Sequence, residues 1–153
     1  MNIDLRGKHV VVTGGTGALG QEIVRALVAC HAHVHVPSRR PVTLERFPWL
    51  SHPRVQVDPS VDLLVEESVE RFYEDLPALW GAVNVAGGFG MSPILETSLD
   101  DFQNLMARNA AVCFLSSREA IRAIRKTGQG GRVVHIGARI DQEPVAGMAA
   151  YSA

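Results

Sequence analysis

Residues 9–20, HVVVTGGTGALG, decide the fold of this chain. An apolar, strand-like run leads into a glycine turn in which Gly15, Gly17 and Gly20 match G-x-G-x-x-G, and a helix-forming segment follows at once. Such a turn lets a diphosphate approach the backbone, and the free amides and positive dipole at the start of the helix attract the anion. A glycine-rich hairpin or linker is the alternative, but the flanking strand and helix favour a phosphate-binding turn.

The segment after the turn has the spacing of an amphipathic helix. Ile23, Leu27 and Cys30 recur at three and four residues, which places them on one face of a helix over residues 18–30. An extended run over residues 32–36 follows. Strand, helix and strand therefore form a βαβ unit, whose strands are parallel because the crossover is a helix.

Strand-like and helix-like patterns alternate to the end of the chain, which predicts an α/β protein with a Rossmann-type doubly wound parallel sheet. The expected strands are 8–13, 32–37, 54–57, 80–86 and 131–137, and the expected helices are 18–30, 61–76 and 99–126. Ser98 is placed to cap the third helix, which carries more apolar residues than one sheet face needs, so part of it is expected to meet a second subunit. Prolines limit any helix between Pro37 and Pro53 to a short one.

The composition indicates one domain over residues 1–153. The chain is 46% hydrophobic and 20% charged with a net charge of −1, and it lacks a long basic stripe, an apolar targeting region and a membrane-length apolar run. We therefore expect no nucleic-acid or membrane partner and a cytoplasmic location. Cys30 and Cys113 lie on apolar helix faces, which favours reduced core thiols over a disulfide.

Three histidines alternate at the start of the second strand. His31, His33 and His35 would share one strand face, so a metal site can be drawn from them. Because no acid or thiolate converges with them in the sequence, we expect no metal and favour a strand face at the edge.

Three motifs in order resemble the short-chain dehydrogenase/reductase family: the turn at residues 13–20, Asn84-Val85-Ala86-Gly87, and Tyr151-Ser152-Ala153. The turn is similar to the spacing T-G-x-x-G-x-x-G of some branches. The resemblance implies hydride transfer between a nicotinamide cofactor and a small alcohol or carbonyl substrate, in a homodimer or homotetramer. It also implies cofactor contacts from the following residues: Gly14, Gly15, Thr16, Gly17, Ala18, Leu19, Asn84, Ala86 and Gly87.

The end of the second strand bears on the choice between NADP and NAD. An acidic residue there would bind the adenosine ribose and repel a 2′-phosphate. This chain instead has Ser38, Arg39 and Arg40, whose guanidinium groups suit a phosphate dianion. We therefore expect NADP rather than NAD, and two solvated arginines in a loop are the alternative.

Two further polar residues have both a binding and a structural interpretation. By resemblance, Asp58 at the end of the third strand is expected to bind the adenine amino group, and a turn-initiating aspartate before Pro59 is equally consistent with the sequence. Asn84 resembles the first asparagine of the family's N-N-A-G, in which the second is replaced here by Val85. Its alternatives are contact with the cofactor ribose and a satisfied buried amide.

The catalytic residues are also assigned by resemblance. Tyr151 matches the family's acid/base tyrosine, and Asn109 resembles the helix asparagine that holds a water in the proton relay, with a backbone-bonded helix residue as its alternative. The family's lysine would fall at position 155, past Ala153, so we expect the chain to be truncated after its fifth strand and its C-terminal part to be missing. The family's serine would fall at position 138, which is Ala138.

Two function classes follow from these residues. The first is an NADP-dependent oxidoreductase in which Tyr151 is the acid/base. The second is a catalytically impaired nucleotide-binding protein of the same fold, a sensor or assembly subunit, which the loss of a hydroxyl at Ala138 favours.

Overall fold

The computed structural model describes residues 3–143 and 145–153. Five parallel strands form one sheet in the order β3-β2-β1-β4-β5. The strands are β1 (His9–Thr13), β2 (His33–Ser38), β3 (Val55–Pro59), β4 (Leu79–Asn84) and β5 (Arg132–His135). The helices are α1 (Ala18–Ala29), α2 (Glu66–Glu74), α3 (Leu99–Met106), α4 (Val112–Lys126) and α5 (Ala149–Ser152).

The strand order confirms the doubly wound fold. From β1 the chain builds β2 and β3 on one side and then crosses to build β4 and β5 on the other, so the order reverses beside β1. A crevice forms at such a reversal, outside the carboxyl ends of the strands, and ligands of open α/β sheets bind there. Thr13, Ser38 and Asn84 mark this edge because each ends its strand or lies in the last pair of its ladder.

Alternation along the central strands produces two cores, one on each face of the sheet. Val10 and Val12 point to the face covered by α1, where Val24 packs on them. Val11 points to the opposite face, where it packs with residues of α2 and α4. Because both faces are covered, the central strands are almost wholly apolar, as expected for a parallel sheet.

The predicted long helix over residues 99–126 is continuous but not regular. It consists of α3, one π-helical turn over Ala107–Ala111, and α4. Ser98 caps it as expected, since its hydroxyl accepts a hydrogen bond from the Asp101 amide at 3.1 Å. A π turn inserts an extra residue into the helix, and such turns occur frequently at functional sites.

Some predicted boundaries are wrong for local reasons. The second helix begins at Glu66 rather than at residue 61, because Asp62 Oδ1 accepts a hydrogen bond from the Leu64 amide and holds residues 62–65 in a turn. The fourth strand ends at Asn84 rather than at residue 86, because the amides of Val85 and Ala86 donate to Thr13 Oγ1 instead of to a strand. The segment between Pro37 and Pro53 contains only a short 3₁₀ helix, Pro48–Ser51, as expected.

The histidines on the strand face are not those that alternation predicts. His31 has a φ of +69° and lies before β2, so it does not share the face. His9 of β1 takes its place: its ring stacks on His33 with centroids 4.9 Å apart, and its Nδ1 lies 2.9 Å from Nε2 of His35. Within residues 3–143 and 145–153, no three His, Cys, Asp or Glu side chains are arranged to hold a metal ion.

Both cysteines are free thiols and half-buried. Cys30 is the residue that ends α1, and Cys113 lies in the first turn of α4. The structure joins neither cysteine to another in a disulfide, and neither thiol is fully buried.

Candidate functional site

The glycine turn leaves no room for side chains. Gly14 has a φ of +66°, and a Cβ there would lie 2.8 Å from the Ala86 amide nitrogen. A Cβ on Gly15 would lie 2.8 Å from Val36 Cγ1, and one on Gly20 would collide with the Gly14 carbonyl oxygen. The turn therefore needs glycine at these places so that β1, β2, β4 and α1 can meet.

The start of α1 is open to an anion. Gly17 is its N-cap residue, and no side chain caps the helix there. The Gly17 amide itself donates to the Gly14 carbonyl oxygen at 2.9 Å, so it closes the turn. The next amides lack side-chain partners and carry the positive end of the helix dipole. This cradle fits the diphosphate of a dinucleotide.

A cleft of about 340 Å³ runs from the glycine turn across the end of β2. Its lining includes Gly14, Thr16, Ser38 and Arg39. The buried Ser38 hydroxyl donates to the Arg40 carbonyl oxygen at 2.7 Å, which fixes the backbone where Arg39 projects. Of the two predicted arginines, the cleft is lined by Arg39 and not by Arg40, although both are exposed. Ala18 and Leu19 belong to the first turn of α1 rather than to the lining.

Two aspartates near this cleft have different positions. Asp58 accepts a hydrogen bond from Gln56 Nε2 at 2.9 Å and lines a separate cavity beside His35. Asp62 lines the cleft together with Ser38 and Arg39. The amide of Val61 donates to the Ser38 carbonyl oxygen at 3.1 Å, which holds this acidic turn against the end of β2. Sequence reasoning missed Asp62 because only the tertiary structure brings its turn to the cleft.

A second cavity of about 510 Å³ continues from the cleft at the carboxyl ends of β4 and β5. Ala86 and Gly87 line both spaces, so the two spaces adjoin at this loop, and together they are called the groove. The structure brings into this cavity Asn84, Asn109, Ala138 and Tyr151, which lie in four separate segments of the chain. Predicted cofactor contacts and predicted catalytic residues therefore share one groove.

Both asparagines that line the cavity form hydrogen bonds with other residues of the protein. Asn109, in the π turn, accepts a hydrogen bond from the Gly88 amide at 2.8 Å and donates to the Gly88 carbonyl oxygen at 3.1 Å. Asn84 is 4% exposed and donates to Ser117 Oγ at 2.9 Å. Asn109 therefore has the backbone hydrogen bonds of its structural alternative. Asn84 is only partly satisfied, because its Oδ1 is buried without a hydrogen-bond partner among the described residues. Both residues line the cavity.

Tyr151 lies in α5, with its ring packed edge-on against Phe89 at a centroid distance of 5.1 Å. Ala138 lines the same cavity, so the position of the expected serine does belong to the site although its hydroxyl is absent. Ser152 also lines the cavity, but its hydroxyl donates to the Met148 carbonyl oxygen at 2.9 Å.

A third space of about 320 Å³ lies beyond Phe89 and is lined by Met91, Leu105 and Arg108 among others. Arg108 also lines the cleft beside the glycine turn, so this residue borders both spaces. Sequence analysis did not identify Arg108, since a charged residue in a helix is usually solvated.

Within the described ranges, the structure contains no helix with the length and apolarity required to cross a bilayer.

Comparison with known proteins places these features in a family. A tropinone reductase homolog of Arabidopsis thaliana is 30% identical over 148 residues, covering 87% of this chain and 56% of that protein. A short-chain dehydrogenase/reductase of Serratia marcescens has a TM-score of 0.83 and 26% identity, covering 97% of this chain and 62% of that one. The closed form of serine dehydrogenase complexed with NADP+ has a TM-score of 0.81 and 24% identity, and the match covers 94% of this chain and 59% of that one. This likeness shows that the two chains share a fold.

The chain spans about half the length of the curated relatives that it matches, 56% and 52% for two tropinone reductase homologs of Arabidopsis thaliana. The sequence model of the family described as short chain dehydrogenase matches residues 8–153, which is almost the whole chain. The five-stranded parallel sheet flanked by helices agrees with that match. The chain belongs to the short-chain dehydrogenase/reductase family of oxidoreductases.

Proposed function

We propose that the protein is an NADP-dependent oxidoreductase that transfers a hydride between nicotinamide and a small alcohol or carbonyl substrate. One observation carries the proposal: a single groove joins the glycine cradle and Arg39 at one end to Tyr151 and Asn109 at the other. A dinucleotide has the same layout, with phosphates and adenosine at one end and the reactive ring at the other.

Each end of the groove has a separate task in this proposal. The amides at the start of α1 hold the diphosphate, Arg39 pairs with the 2′-phosphate, and Asp62 accepts from the adenine amino group. A bound nicotinamide supplies or accepts the hydride. Tyr151 gives its phenolic proton to the carbonyl oxygen during reduction and takes it back during oxidation. Asn109 holds the Gly88 backbone in place and so shapes the wall beside the reacting carbonyl.

NADP is preferred over NAD in this proposal because no carboxylate ends β2, where Ser38 stands, and because Arg39 faces the cleft. The serine dehydrogenase with the same fold is complexed with NADP+. The Asp58 assignment to adenine remains a prediction, and Asp62 is the better candidate because it lines the cleft. We further propose a cytoplasmic location and a homodimer or homotetramer.

Turnover of NADPH with a panel of ketones, aldehydes and quinones by the full-length protein tests the proposal. We expect Tyr151→Phe to lower kcat by about 10²-fold or more, because it removes the proton donor while keeping the ring that packs on Phe89. Cofactor binding by the variant is the control and should stay unchanged. Equal turnover by wild type and Tyr151→Phe would refute the role of Tyr151.

Ala138 favours a second candidate, a nucleotide-binding protein without turnover, because the site lacks the serine hydroxyl that polarises the substrate oxygen. Ala138→Ser separates the candidates. If the protein is an impaired enzyme, the variant gains turnover at unchanged cofactor affinity. If another group already polarises the substrate, wild type turns over and the variant adds little.

A further inference from the structure

The wall of the groove beside Asn109 contains a thiol next to an imidazole. Cys113 Sγ lies 3.0 Å from Nδ1 of His135, the last residue of β5. The pair forms because α4 packs on β4 and β5 and turns Cys113 toward the end of the sheet. Cys113 also lines the 510 Å³ cavity that Tyr151 lines, so the residue borders the candidate site.

The neighbours of the pair fix the direction of its hydrogen bond. Asn84 Nδ2 lies 3.4 Å from the same His135 Nδ1 and is held there by its bond to Ser117 Oγ. An amide NH₂ only donates, so His135 Nδ1 accepts from Asn84 in the tautomer that carries the ring proton on Nε2. In that tautomer the Cys113 thiol donates to His135 Nδ1, which is the arrangement in which an imidazole takes the proton of a thiol.

We propose that Cys113 is a modification site for α,β-unsaturated carbonyl compounds that enter the groove, with His135 as its base. The sulfur forms a bond to the β-carbon while the π electrons move to the carbonyl oxygen as an enolate. The thiol proton passes to His135 Nδ1 and then to the α-carbon, so the addition is balanced and has no leaving group. The adduct occupies the cavity beside Tyr151 and blocks it.

Cys30 is the matched internal reference. It is half-buried like Cys113, but within the described residues no hydrogen bond to its thiol is found, and it does not line the groove. Attack by the sulfur requires loss of the thiol proton, so we expect the neighbouring imidazole to raise the alkylation rate of Cys113 roughly tenfold above that of Cys30.

The experiment follows alkylation of the full-length protein by N-ethylmaleimide, an α,β-unsaturated imide, at pH 7, with peptide mass spectrometry of both cysteines over time. We expect Cys113 to react about tenfold faster than Cys30. His135→Asn keeps an accepting oxygen but no base, so it should abolish the difference, while His52→Asn, away from the groove, should preserve it. Equal rates in wild type, or an undiminished excess in His135→Asn, would overturn the proposal.

Saturating NADPH gives a second readout. If it binds and slows labelling of Cys113 but not of Cys30, the thiol is placed in the cofactor groove. If it binds without protecting Cys113, the location of the modification site is refuted. If NADPH does not bind but the labelling rate of Cys113 still depends on His135, the proposed cofactor is refuted while the proposed role of the thiol–imidazole pair is supported.

Discussion

Arg39 and Arg40 are neighbours in sequence, yet of the two only Arg39 lines the cleft beside the glycine turn. The carbonyl oxygen of Arg40 is instead tied to the Ser38 hydroxyl, which shapes the bend that follows β2. Adjacent identical side chains in a loop project in different directions, so residue type alone does not distinguish them. The pair therefore offers a matched test of cofactor choice.

We expect Arg39→Ala to weaken NADPH binding by about 10- to 100-fold and to leave NADH binding nearly unchanged, because it removes charge-assisted hydrogen bonds worth roughly 1.5–3 kcal/mol. Arg40→Ala is the control and should change neither affinity. Dissociation constants from fluorescence titration provide the measurement. Tighter binding of NADH than of NADPH by the wild type would contradict the preference.

The glycines offer a second matched pair at the residue scale. Gly14 and Gly7 have nearly the same φ, +66° and +69°, but a Cβ on Gly7 would meet nothing within 4 Å. Gly7→Ala should therefore lower the free energy of unfolding by about 1–2 kcal/mol, which is the strain of an alanine in the left-handed region. Gly14→Ala adds a collision with the Ala86 backbone and should cost about 3 kcal/mol or more. Urea unfolding of both variants measures the difference, and equal losses would contradict it.

At the scale of elements, the pairing of β1 with β2 brings three histidines onto the α2 face of the sheet. His35 is 4% exposed, and its burial, with the neighbouring His9 adding to the effect, lowers its pKa from 6.5 to about 4. The pKa of His9 is also lowered, first by burial and then by His33. Burial on this face therefore favours the neutral ring of His35.

The sign of the pH effect follows from the lowered pKa of His35. The unfolded chain takes up a proton below about pH 6.5, whereas the folded chain does so only near pH 4, so stability falls as pH falls between these values. We expect His35 to lower the free energy of unfolding by about 2 kcal/mol between pH 7.5 and pH 5. Urea unfolding of wild type and His35→Gln at both pH values measures it. A loss of the same size in the variant would refute the assignment.

At the scale of the whole molecule, α4 has an apolar face that the sheet does not cover. Phe114 and Ile121 are seven residues apart on one side of the helix and are 62% and 48% exposed. Leu99 and Phe102 of α3 add exposed apolar surface near the other end of the same continuous helix. Apolar surface gathered on one helix marks a site of association, and this surface supports the proposed oligomer.

We expect Phe114→Asp to lower the molar mass of the full-length protein in sedimentation velocity, because it places a charge in the proposed contact. Its unfolding should remain cooperative since Phe114 lies outside both cores. Leu44→Asp changes a residue of similar exposure in the loop after β2 and is the control. An unchanged mass in Phe114→Asp would exclude this face as the interface.

The sequence by itself determined the fold class, the glycine turn and the long helix, because these depend on local rules: glycine at a left-handed turn, apolar spacing, and caps such as Ser98. Only the tertiary structure decided which side chains meet. It selected Arg39 over Arg40 and Asp62 over Asp58 for the cleft, exchanged His31 for His9 on the strand face, and paired Cys113 with His135. Such choices depend on strand register and helix packing, which join residues far apart in the chain and leave no periodic signal in it.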